Sequence, residues 1–165
     1  PHITELDLSN NPITSLAGVE HLIQLKQLHF SQFSFQSIDN LSGLHGLEAL
    51  TLSYGSLENT NSLRTLKKLK YLDLSSTYIP SLDFVKDMTS LEFLNLSYYQ
   101  FDDLEKLLQC PSLKVVIVPR IPMKLKRKLE QEIPQIKIIR DYDFEDYEFY
   151  KIKYGQTHGT FAEIS

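Results

Sequence analysis

The sequence predicts a right-handed α/β solenoid: a curved parallel sheet on one side, tight helical turns on the other. Two observations predict it. Written in rows of 22 residues starting at Ile3, the chain repeats for six rows with no insertion or deletion. Each row also joins a short alternating stretch to a stretch whose apolar residues recur every three positions.

The alternating stretch comes first. Its leading column reads Ile3, Leu25, Leu47, Leu69, Leu91, Leu113. Three residues on, the column is Leu6, Leu28, Leu50, Leu72, Leu94, Val116, and two further it is Leu8, Phe30, Leu52, Leu74, Leu96, Val118. In the fourth row Leu72 and Leu74 point one way while Tyr71, Asp73 and Ser75 point the other. That is a short strand with one buried face. The return stretch of the same row carries Ile79, Leu82, Val85 and Met88. A spacing of three matches a 3₁₀-like return. One row cannot bury its own apolar side, but stacked rows share a continuous core. The strands then form a parallel sheet with neighbours about 4.8 Å apart.

The pattern L-x-x-L-x-L, repeated over residues 3–139, resembles the leucine-rich repeat family. The row length resembles the short-repeat subclass found in internalin-like bacterial surface proteins and in a regulatory subunit of protein phosphatase 1. The resemblance implies the solenoid architecture and names no partner, because the family shares a fold and not a ligand. One column departs from the family pattern. The family places asparagine eight positions after the first leucine, where its amide bonds the turn backbone of adjacent rows. Here only Asn11 obeys, and the column continues Phe33, Gly55, Thr77, Tyr99, Ile121. Thr77 partly replaces the ladder on this reading. At Phe33 and Tyr99 the turns are expected to be shaped by packing.

The end of the array changes character. Leu125, Leu129 and Ile133 lie four apart, on one face of an α-helix. Pro122 suits its start and Pro134 its stop. Gln135 to Arg140 reads as a last strand with Ile136 and Ile139 inward. The predicted organisation is therefore repeats over 1–118, a last repeat with capping helix and strand over 119–140, and an acidic, tyrosine-rich tail or cap over 141–165. Within that tail EFYKIKY alternates as a further edge-covering strand would, and the residues from about Gly155 are expected to be loosely held. The first strand, by contrast, begins at Ile3 with no cap before it. Its edge predicts either a longer array, the preferred reading, or a second chain in a homo-oligomer.

Composition excludes several function classes. The 165 residues suit one domain. A net charge of −4 argues against nucleic acid, which wants a basic face. No apolar run is long enough to insert across a bilayer, and no signal peptide is visible. One cysteine, Cys110, forms no internal disulfide. It fits a reducing cytoplasm slightly better than a secreted or cell-surface setting. It shares a column with Leu22, Leu44, Leu66 and Met88, and so is expected in the core. No Gly-rich phosphate loop and no zinc-type His or Cys spacing occurs, so no cofactor or metal is expected. Asp7, His29 and Ser31 or Ser53 could be neighbours on the sheet. A flat strand surface supplies neither burial nor a pair of oxyanion donors, so the chain reads as a non-enzyme. The basic runs at 67–70 and 124–128 alternate with core leucines and read as solvated faces.

What remains is the concave side of the sheet. Three columns face it: Glu5, Gln27, Ala49, Tyr71, Phe93, Val115; then Asp7, His29, Thr51, Asp73, Asn95, Ile117; then Ser9, Ser31, Ser53, Ser75, Ser97, Pro119. Tyr71 and Phe93 are predicted neighbours, with Tyr54, Tyr98 and Tyr99 at the strand-to-turn edge. Exposed aromatics among polar groups are typical of binding hot spots. The candidate partner-binding residues are His29, Thr51, Tyr54, Tyr71, Asp73, Phe93, Asn95, Tyr98 and Ile117. Two other readings of the aromatics stay open, stabilisation of the sheet by cross-strand pairs and cover from the tail. The expected function is a scaffold that binds a partner protein through the concave face. The alternatives are a structural or self-associating module and the non-catalytic targeting domain of a larger protein.

Overall fold

The structure is a computed structural model and describes residues 2–141. The strand expected in EFYKIKY, the end beyond Gly155, and all but the first residue of the 141–165 tail lie outside the described residues.

Nine strands occur among the described residues: β1 (Glu5–Asp7), β2 (Gln27–Ser31), β3 (Ala49–Ser53), β4 (Gly55–Ser56), β5 (Tyr71–Asp73), β6 (Thr77–Tyr78), β7 (Phe93–Asn95), β8 (Val115–Val118) and β9 (Lys137–Arg140). Seven of them form one sheet in the order β1-β2-β3-β5-β7-β8-β9. Every pairing is parallel, from Glu5↔Gln27 at one edge to Val115↔Lys137 at the other. The sequence period is thus the register of the sheet. β4 and β6 make a second, short ladder just past the strand exits.

Each return is a 3₁₀ segment: Val19–His21, Asp39–Leu41, Asn61–Thr65, Asp83–Asp87 and Leu104–Gln109. The spacing of three explains the choice, since a 3₁₀ turn eclipses i and i+3 and keeps Leu82 and Val85 on one side. The core lies between these returns and the sheet. Leu50, Leu72 and Leu94 meet Leu41, Leu63, Val85 and Leu107 there, all at most 1% exposed. Cys110 belongs to the same core, and burial pushes its thiol pKa up, which leaves it protonated and unreactive.

The last row closes with α1 (Met123–Glu132), preceded by Pro122 at its N-cap and followed by Ile133 at its C-cap. Leu129 and Ile133 are buried and Leu125 packs against the core. Lys124, Arg127 and Lys128 are exposed, as a solvated face requires.

The sequence reading of the last strand needs a correction. Ile136 and Ile139 were both expected to point inward. Ile136 joins the core, but it precedes β9. Ile139 lies on the opposite face, and Ile138 takes the core position. The physical reason is that residues three apart cannot share a face of a strand. The register sets the outcome, because Ile138 pairs with Val116 and Ile139 with Ile117.

The departures from the family asparagine are resolved individually. Asn11 donates from Nδ2 to the Ser9 carbonyl at 3.0 Å. Thr77 donates its hydroxyl to the Leu52 carbonyl at 2.7 Å and approaches the Ser75 carbonyl at 3.2 Å, so it ties adjacent rows together. Phe33 packs its ring against Phe35 at 4.6 Å, and Tyr99 lies 5.1 Å from Phe101 and 5.6 Å from Tyr78. Ring packing does replace the amide at both positions.

Candidate functional site

The concave face has two unlike halves. Around β5 to β9 it is closed. Ala49, Tyr71, Phe93, Val115, Ile117 and Ile139 form a second apolar cluster, each at most 1% exposed. Tyr71 and Phe93 are the cross-strand neighbours the sequence predicts, stacked with centroids 4.6 Å apart and planes 3° apart. They are not the exposed aromatics the sequence suggested. Asp73, Asn95 and Ile117 are buried with them.

The polar members of this half have backbone work to do. Asp73 Oδ1 accepts the Ser75 amide at 2.9 Å, and Asn95 Oδ1 accepts the Ser97 amide at 3.0 Å. Asp7 does the same for Ser9 at 2.8 Å. These are Asx turns at strand exits. Asn95 Nδ2 also donates to Asp73 Oδ2 at 3.3 Å, linking the rows.

Directly after each serine comes a residue with positive φ: Asn10 (61°), Gln32 (61°), Tyr54 (58°), Ser76 (53°) and Tyr98 (65°). The column repeats over the first five rows, so those five strand exits turn through the left-handed region, whereas Arg120 in the sixth row does not. Asparagine tolerates that conformation, whereas for a bulky residue it is strained. Tyr54 and Tyr98 nevertheless hold it, and both rings are more than half exposed. The sequence places them at the edge but gives no sign of the backbone that presents them. Only Asn10 in the same column hints at it.

The other half, around β1 and β2, is more open, and β3 is buried throughout. Glu5 and Asp7 are exposed, and Gln27 and Ser31 are half-buried. His29 and Thr51 lie at the boundary, 7% and 8% exposed. His29 Nδ1 is 3.1 Å from Thr51 Oγ1. Its Nε2 is buried with no hydrogen-bond partner, and so is Oε1 of Gln27. The ring therefore bonds Thr51 and engages neither Asp7 nor a serine.

Burial holds the His29 pKa below its ordinary value, with Asp7, Glu5 and Asp73 opposing the shift more weakly. The sign follows directly. A depressed folded-state pKa means the unfolded chain binds the proton first, so this contribution is complete above about pH 6.5 and falls as pH drops through the folded pKa. We expect unfolding free energy to decline on acidification from pH 7.5 to 5. The His29→Asn variant should decline less. Equal slopes for the two proteins in urea titrations would contradict this.

At the outer end of the stack, Leu6, Leu8, Ile13, Leu16, Val19 and Leu22 line an apolar groove of about 290 Å³. Among the described residues no cluster of His, Cys, Asp and Glu suits a metal ion, and no helix is long and apolar enough to cross a membrane.

Comparison with known proteins agrees with the geometry. A family model described as Leucine Rich repeat matches residues 1–19. No curated protein matches the chain. An internalin (InlF) of Listeria monocytogenes superposes with a TM-score of 0.72 at 19% identity, over 84% of this chain and 41% of its own. A leucine-rich repeat protein of Leptospira interrogans gives 0.67 at 22% identity, over 82% of this chain and 36% of its own. The functional domain of another Listeria monocytogenes internalin, InlJ, gives 0.64 at 22%, over 84% and 29%. The chain thus spans less than half the length of each of these three structures.

Proposed function

We propose that the chain, which has the fold of a leucine-rich repeat solenoid, is a scaffold for protein–protein recognition and that its partner docks on the open half of the concave face, over β1 and β2. One observation carries the reading. Gln27 Oε1 and His29 Nε2 are buried polar atoms without partners, side by side on that face. An unsatisfied buried group costs about 1–3 kcal/mol. A partner that supplies hydrogen bonds there would recover that cost on binding.

The surroundings support a partner of particular chemistry. Glu5 and Asp7 make the open half acidic, which favours a basic counterpart. Tyr54 stands at its edge as an exposed aromatic held in a strained turn. Strain of this kind gathers at sites of function. His29 and Thr51, 7% and 8% exposed, form the floor beneath that contact surface. Tyr71, Asp73, Phe93, Asn95 and Ile117 move out of the first contact layer because they are buried. The module is read as non-catalytic, since no carboxylate orients the His29 ring that meets the Thr51 hydroxyl.

The test uses the strain itself. Tyr54→Asn suits the left-handed turn and should raise unfolding free energy by up to about 1 kcal/mol. The same change, combined with His29→Ala, should abolish retention of proteins that the immobilised parent chain captures from its native source. An unchanged set of captured proteins would refute the proposed face. A second reading, association through the first row, is favoured by the apolar groove at Leu6, Leu8 and Leu22. A further repeat or a second copy of the chain would fit there.

A further inference from the structure

The short ladder past the strand exits ends at β6. It joins the third row to the fourth, Gly55–Ser56 to Thr77–Tyr78, and Leu57 extends it by donating its amide to the Tyr78 carbonyl at 2.9 Å. Between the fourth and fifth rows side chains make the tie instead. Asp103 Oδ2 accepts the Leu82 amide at 2.9 Å and the Ser81 hydroxyl at 3.2 Å. Beyond the end of the ladder, a cleft of about 390 Å³ lies between these two rows.

Its lining combines rings and charges. Tyr99 meets Tyr78 edge-on at 5.6 Å and lies 5.1 Å from Phe101, and all three line the cleft. Tyr78 is 45% exposed, and the other two rings are half-buried. Asp102, Asp103 and Lys106 supply the charged part of the lining. The Lys106 ammonium is already committed. It donates to Asp83 at 2.8 Å, to Asp103 at 3.1 Å and to Ser81 Oγ at 3.1 Å, which uses its three protons. Hydrogen bonds to these carboxylates, Asp83 first, hold its pKa above the ordinary value, so it stays charged. An anion entering the cleft would find that ammonium occupied and the aspartates in its way. Asp102 is exposed, and its carboxylate makes no hydrogen bond or ion pair among the described residues.

We propose that this cleft is a binding site for an arginine side chain presented by a partner protein. A guanidinium is flat and weakly hydrated, so it can stack on an aromatic ring while it forks onto a carboxylate. Tyr78, Tyr99 and Phe101 supply the aromatic surface, and Asp102 supplies the carboxylate. An ammonium has no planar face and holds its water more tightly, which makes lysine the poorer occupant. The site belongs to rows four and five, whereas the surface proposed above belongs to rows one and two. Either can fail without the other.

The test uses the full chain and N-acetyl-arginine amide. NMR titration should show saturable shifts of the Tyr78, Tyr99 and Phe101 ring signals. The citrulline counterpart keeps the shape and loses the charge, and it should bind about ten-fold more weakly. Asp102→Asn, an exposed and nearly isosteric change, should weaken the arginine compound by about five-fold or more and leave the citrulline compound unchanged. Shifts that do not saturate, equal affinity for the two compounds, or an Asp102→Asn chain that binds as the parent does would each overturn the assignment. If the spectrum of Asp102→Asn departs from the native one beyond the cleft, Tyr78→Leu takes its place, and an undiminished response there refutes the site equally. None of these variants touches Gln27 or His29, so partner retention through β1 and β2 would survive a negative result.

Discussion

Phe93→Ala is expected to lower the free energy of unfolding by about 3–5 kcal/mol, the range for deleting a fully buried aromatic ring. Phe93 is 0% exposed, stacks on Tyr71 at 4.6 Å and pairs across the sheet with Val115. Three terms add: the apolar surface returned to water, the cavity left behind, and the stacking pair itself, worth about 0.5–1.5 kcal/mol beyond area. Tyr71→Phe, which keeps the stack and removes one hydroxyl, should cost far less. An exposed hot-spot residue behaves the other way, because its truncation leaves stability within about 0.5 kcal/mol and removes the partner instead. Urea unfolding of the two variants separates these cases. A loss below about 1 kcal/mol for Phe93→Ala would show that the ring faces solvent.

That contrast marks the limit of what the residues alone reveal. The columns of leucines give the sheet, its register and the 3₁₀ returns, because a fixed row length and a period of two determine which side chains share a face. They do not reveal whether a face is covered. Tyr71 is assigned to the concave side by its place beside Leu72, yet nothing in YLDLS distinguishes a ring open to a partner from one beneath another layer. The left-handed column is hidden for a related reason. Its conformation is imposed by the strand exit, and Tyr54 and Tyr98 adopt it against their own preference. Ile139 shows the converse, since local apolarity suggested one face and the register of β9 assigned the other. The unpartnered nitrogen of His29 is visible only in three dimensions. Sequence supplies its neighbour in the next row, Thr51, but not which ring atom that neighbour satisfies.

The missing asparagines lead to the second large effect. Gly55→Ala should destabilise the chain by up to about 3 kcal/mol, as overpacking of a filled site does. A Cβ at position 55 would stand 2.3 Å from Cζ of Phe33 and 2.5 Å from both its ε carbons. The ring cannot easily retreat. It is 7% exposed and stacked on Phe35, which itself meets Phe30 edge-on at 5.1 Å. Gly55 has no left-handed φ to protect, so steric conflict with this one ring is the whole reason for glycine here. The two positions occupy the same column of successive rows, where the family would place two asparagines. The large residue of one row therefore requires the small residue of the next. In a Phe33→Ala background, Gly55→Ala should become neutral or gain up to about 1 kcal/mol, because alanine restricts the unfolded chain more than glycine does. The cycle then yields a coupling of about 2 kcal/mol or more, at the upper end of values for residues in contact. Equal costs of Gly55→Ala in both backgrounds would mean that the ring swings aside, and that the turn after β2 is held by something other than this pair.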